Sequence, residues 1–123
     1  MKKLFLLCCV SLCIFLSSCW RNDGDISIRY KDNKDSYSMN AWFGKSKTRK
    51  VECYMNEMIG KENDIQFHNT RMDAELTMDD GSKFYIKKSP GHVMIKMKKE
   101  ETSDHSFYML KAMCKGMKEV VLK

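Results

Sequence analysis

Proline is almost missing from this 123-residue chain: Pro90 is the only one, and glycine stands at six. No repeat or low-complexity block replaces them, so the chain does not read as a spacer. Histidine is equally thin. His68, His92 and His105 lie in three separate segments, and no His-Glu-x-x-His, Gly-x-Ser-x-Gly or glycine-rich phosphate loop occurs. Nor is there an apolar run long enough to cross a bilayer comfortably: the longest, residues 4–16, falls short of about 20 residues. Beyond residue 19 only Cys53 and Cys114 remain of six cysteines. A disulfide scaffold is thereby excluded, and no catalytic constellation stands out. The expectation is a protein that is not an enzyme and carries no cofactor.

What is present begins at the N-terminus. Lys2 and Lys3 form a positive region, residues 4–16 an apolar one, and Leu16-Ser17-Ser18-Cys19 ends it on small residues. This pattern resembles the signal and lipobox of bacterial lipoproteins. The resemblance implies removal of residues 1–18 and lipidation of Cys19. It further implies an exported chain anchored in a membrane, the outer one by preference because Trp20 rather than an aspartate follows the anchor. Residues 19–25 then read as a short lipidated tether and 26–123 as one domain. The processed chain would have 105 residues. Its formal charge would fall from +6 to +4, because the signal holds two lysines and no acid. Outside the cytoplasm a mild positive excess points away from nucleic acid. It points toward an envelope protein, an anionic glycan or lipid headgroups.

Period-two alternation marks five strands. Ile26, Ile28 and Tyr30 share one face of the first. Tyr37, Met39, Ala41 and Phe43 share one face of the second. Residues 45–59 change period: Val51, Tyr54, Met55 and Met58 form a helical stripe, with Ser46 or Thr48 as N-cap and Gly60 as the stop. Three strands follow, with inward sets Met72, Ala74, Leu76 and Met78, then Phe84 and Ile86, then Val93, Ile95 and Met97. Asp79-Asp80-Gly81-Ser82 and Ser89-Pro90-Gly91 are the turns. Placing Asp79 opposite Lys83 would set Leu76 against Ile86 and Glu75 against Lys87. A last helix is capped by Thr102 or Ser103 and buries Phe107, Leu110, Cys114, Met117 and Val121; Gly116 weakens it without ending it. The expected fold is α+β, a five-stranded mainly antiparallel sheet with two helices on one face, in the order β-β-α-β-β-β-α. On the first helix Cys53 falls about 200° from Val51, away from the core. Cys114 falls on a buried face, so helical phase opposes a disulfide between them.

From residue 45 onward the α-β-β-β-α order resembles double-stranded-RNA-binding domains in element order alone, and the export signal argues against that function. The body also resembles small uncharacterised secreted proteins of Bacteroidota at Lys47-Thr48-Arg49-Lys50-Val51, Ser89-Pro90-Gly91 and Met113-Cys114-Lys115-Gly116. That resemblance implies no activity.

Three candidate chemistries remain. Asp79-Asp80 is the obvious carboxylate pair, and turn chemistry explains it. Met55 with Met58, and Met109, Met113 and Met117, joined by Cys114 and His105, offer soft donors for Cu(I). Core filling accounts for most of these methionines and leaves only Met109 and Met113 over. The third is the sheet face turned away from the helices. There Trp42, Tyr85, Lys87 and Lys96 are the candidate contact residues for an anionic or planar partner. The competing reading is a solvated face whose lysines discourage edge pairing, with Trp42 tucked under the 63–71 loop. A binding or accessory module of the cell envelope is the leading expectation. An envelope inhibitor or immunity lipoprotein and a Cu(I)-handling lipoprotein are the alternatives.

Overall fold

A computed structural model describes residues 25–123. Cys19, the signal at 1–18 and the tether up to residue 24 lie outside the described residues. Five strands form one open sheet: β1 (Ser27–Asp32), β2 (Ser36–Trp42), β3 (Met72–Thr77), β4 (Lys83–Ser89) and β5 (His92–Lys98). Their spatial order is β1-β2-β5-β4-β3, with every pairing antiparallel. Helix α1 (Thr48–Met55) follows β2, and helix α2 (Asp104–Leu122) follows β5. The fold is α+β with the order β-β-α-β-β-β-α. Among the described residues no helix is long and apolar enough to cross a membrane.

Alternation decides which face the helices cover. Tyr37, Met39 and Ala41 of β2, Phe84 and Ile86 of β4, and Val93, Ile95 and Met97 of β5 are all buried. They meet Val51, Met55 and Ile59, and Leu110, Met113, Cys114, Met117 and Val121, in one core. The edge strands share less of it. Ile28, Met72 and Leu76 are half-buried, while Tyr30 and Ala74 are exposed. Tyr30 instead sends its hydroxyl across to the carbonyl of Cys114 at 3.1 Å.

Four local expectations need correction. The first is the β3–β4 register, which lies two residues away from the one expected: Leu76 faces Phe84, Glu75 faces Tyr85 and Asp73 faces Lys87. The loop is Asp79-Asp80-Gly81, closed by the Met78 amide donating to the Ser82 carbonyl at 2.7 Å. Gly81 sits at φ +88°, the left-handed position that ends a three-residue hairpin loop. A shift of two keeps every side chain on its face while changing every pair.

The second correction concerns the start of α1. Neither Ser46 nor Thr48 caps it; a 3-10 turn, Lys45–Lys47, leads in without a side-chain cap. The Thr48 hydroxyl accepts from the Gly91 amide at 2.9 Å instead. Thirdly, Gly60 does not stop the helix. A π-helical segment, Asn56–Gly60, and a further turn, Lys61–Asn63, carry the winding on to Asp64 at φ +55°. Gly60 is helical at φ −65°. It is small because a Cβ there would meet the Ile65 carbonyl oxygen at 2.7 Å. The wider winding also rotates the stripe, so Ile59 is buried where Met58 was expected. Finally, Met113 is a core residue at 0% exposure and needs no explanation beyond packing.

Helix α2 is capped by Ser103, whose oxygen accepts from the Ser106 amide at 3.1 Å. Gly116 lies inside it. A Cβ at Gly116 would stand 2.2 Å from the Tyr54 hydroxyl, which donates to the Met113 carbonyl at 2.9 Å. The glycine that weakens α2 as a helix is what lets α1 pack against it.

Candidate binding surface

The face opposite the helices has no element over it among the described residues, and the pairing registers lay its side chains out as a grid. One row reads Ser27, Trp42, His92 and Ser89; the next Arg29, Asn40, Met94, Lys87 and Asp73; the next Lys31, Ser38, Lys96, Tyr85 and Glu75. All four residues expected as contacts therefore share this face, but they fall into two groups.

Tyr85, Lys87 and Lys96 adjoin one another, with Tyr85 directly opposite Lys96 on β5 and opposite Glu75 on β3. The Tyr85 hydroxyl donates to the Asp73 carboxylate. That bond, ahead of a smaller contribution from burial, holds the phenol above its usual pKa. A shallow groove of about 380 Å³ crosses this part of the sheet, lined by Lys31, Lys83, Lys96, Lys98, Tyr85 and Glu75.

Trp42 stands elsewhere. It is separated from Tyr85 by two strand spacings and four residues of strand, on the order of 16 Å. It is not under the 63–71 loop: it is 43% exposed and stacks on His92, with ring centroids 4.8 Å apart and planes 29° from parallel. Asn40 Oδ1 lies 2.6 Å from His92 Nε2 and holds that ring in place. Burial first, and the charge of Lys87 second, lower the His92 pKa, so the stacked ring is neutral at pH 7. Stacking covers one face of the indole and leaves the other to solvent.

His92 was not among the expected contacts, although it was legible. Pro90-Gly91 is a two-residue turn with Gly91 at φ +80°, which places His92 opposite Ser89. It therefore shares the parity of Met94 and Lys96. The face as a whole is cationic: Arg29, Lys31, Lys83, Lys87, Lys96 and Lys98 stand against Asp73 and Glu75. None of these cations forms an ion pair among the described residues.

The other candidate chemistries fall on different ground. Asp80 is bound up in structure. Its carboxylate accepts from the Ser82 amide at 2.9 Å and from the hydroxyls of Ser103 and Ser106, tying the β3–β4 turn to the start of α2. Met55, Met113, Met117 and Cys114 are fully buried in the core. Burial pushes the Cys114 thiol up to about 12, which keeps it protonated and a poor metal ligand at neutral pH. His105 is exposed at the start of α2, away from Cys114. Among the described residues Cys53 and Cys114 are both free, Cys53 exposed and Cys114 buried. Among the described residues no cluster of three His, Cys, Asp or Glu side chains is arranged to hold a metal ion.

Compared with known proteins, the chain matches no family model, no curated relative and no solved structure.

Proposed function

We propose that this protein is a lipid-anchored, non-enzymatic binding module of the bacterial cell envelope, and that its open sheet face is the contact surface. Cys19 is the anchor, and more than one acyl chain makes such attachment stable. The observation that carries the reading is the open face itself. A half-exposed Trp42 on a neutral His92 shares that face with a separate field of lysines that has few acids to balance it. Lys83, Lys87, Lys96 and Lys98 stand on β4 and β5, whereas lysines placed only to discourage pairing belong on edge strands. Aromatic surface beside unneutralised ammonium groups suits an acidic protein surface or an anionic glycan.

The test is substitution without unfolding. Trp42→Ala combined with Tyr85→Ala removes only exposed or half-exposed side chains, so the circular dichroism of the chain is expected to stay unchanged. Recovery of its partner from solubilised envelopes is expected to drop at least about tenfold, the loss of one well-packed aromatic contact. Equal recovery with the double variant would remove the open face from consideration.

A further inference from the structure

A second cleft, of about 820 Å³, opens on the helix side of the sheet, between the start of α1, the 66–71 loop and the β4–β5 turn. Its floor holds an anomaly of the sequence pattern. Lys88 has the parity of Phe84 and Ile86 and is as buried as they are, with 1% of its side chain exposed. Its ammonium donates to the Glu52 carboxylate and to the Thr70 carbonyl. An ammonium carries three donors, and the third has no partner among the described residues.

The rim adds Lys45, Arg49 and Arg71. None of the three forms an ion pair among the described residues, and all are exposed. Since Lys88 and Glu52 neutralise each other, the cleft keeps the charge of the three rim cations. A separate feature points the same way. The helix dipole favours acids at the start of α1, yet its first turn holds none, and Lys45, Lys47, Arg49 and Lys50 crowd there. Like charges at the positive pole of a helix are unfavourable unless an anion joins them. Broken local rules concentrate at functional or strained positions.

We propose that this cleft binds a phosphate or phosphomonoester group, carried either by a small soluble ester or by a lipid headgroup. Two guanidinium forks match phosphate oxygens in pairs, Lys45 adds a point charge, and a dianion balances most of the excess. The volume exceeds that of phosphate alone and leaves room for the group that bears it. The proposal stands apart from the open sheet face, and either can fail without the other.

The test is calorimetric titration of the full chain in neutral detergent with two probes. These are glycerol 3-phosphate, and phosphatidic acid dispersed in the same detergent, with acetate and phosphatidylcholine as controls at matched ionic strength. Binding of the first probe alone assigns a soluble ester; binding of the second assigns a headgroup. In either case Arg49→Gln with Arg71→Gln, both exposed, is expected to weaken binding by at least about tenfold, as loss of a charge-assisted hydrogen bond does, while the circular dichroism is unchanged. No heat from either phosphate probe up to millimolar concentration would overturn the proposal. So would equal binding of acetate, or equal affinity in the double variant.

Discussion

At the scale of single residues, Asp80 shows how a turn residue does more than turn. Its two oxygens accept from the hydroxyls of Ser103 and Ser106 and from the Ser82 amide, and these bonds hold its pKa well below the ordinary carboxylate range. A carboxylate with a depressed folded pKa contributes stability that is fully present above its unfolded value, about 3.9. That contribution is lost as pH falls toward the folded value. Asp80→Asn should therefore be less stable than the parent at pH 7 in urea unfolding, and the gap should narrow as the pH drops below about 4. A constant gap across that window would show that charge is not what Asp80 supplies. The sequence marks Asp79-Asp80-Gly81-Ser82 as a turn because all four residues favour one. It hides the reach to a helix start 23 residues further on, since no local period links a turn to a helix it touches only in three dimensions. The Lys88–Glu52 pair was hidden for a related reason. Each residue carries the parity of its buried neighbours, but a lysine or glutamate in a core phase reads as the end of the pattern until its partner is known.

At the scale of elements, strands were read from alternation and helices from their stripe, and both hold where packing is one-sided. The open-face parity of β2, β4 and β5 follows directly, which is why Trp42, Tyr85, Lys87 and Lys96 could be placed on one face before their pairings were known. Register was less legible: Gly81 takes the left-handed position at the end of the Asp79-Asp80-Gly81 loop, and Thr77 rather than Asp79 stands opposite Lys83, so every β3–β4 pair moves by two residues. The π-helical winding of Asn56–Gly60 has no simple sequence signal either. Gly116 gives the sharpest element-level prediction. Alanine there gains up to about 1 kcal/mol of helix propensity, but its Cβ would stand 2.2 Å from the Tyr54 hydroxyl. Overpacking of this kind costs about 1–3 kcal/mol. The expected outcome is a lower urea midpoint for Gly116→Ala, largely restored when Tyr54→Phe removes the hydroxyl. A higher midpoint would mean that α1 and α2 do not need their close approach.

For the whole molecule, the central observation is a division of labour between two sheet faces. The helix-covered face holds the core, with Phe67 drawn in from the loop, where its backbone N–H donates to Asn56 Oδ1 at 3.0 Å. The bare face holds unneutralised lysines and a stacked Trp42–His92 pair. Each side of the sheet has a cleft. Charge composition alone suggested an anionic partner but not where it would sit. The registers bring Lys96 beside Tyr85 and set Trp42 apart with a ring of its own, and the open-face proposal starts from that layout. The most direct measurement is photocrosslinking in living cells from a photoreactive residue at Trp42. The same probe at Tyr108, 71% exposed on α2, serves as the reference. The account predicts a discrete adduct from position 42 that is missing from position 108 and is lost when Lys87 and Lys96 are changed to glutamate. No adduct from position 42, or the same adducts from both positions, would contradict it.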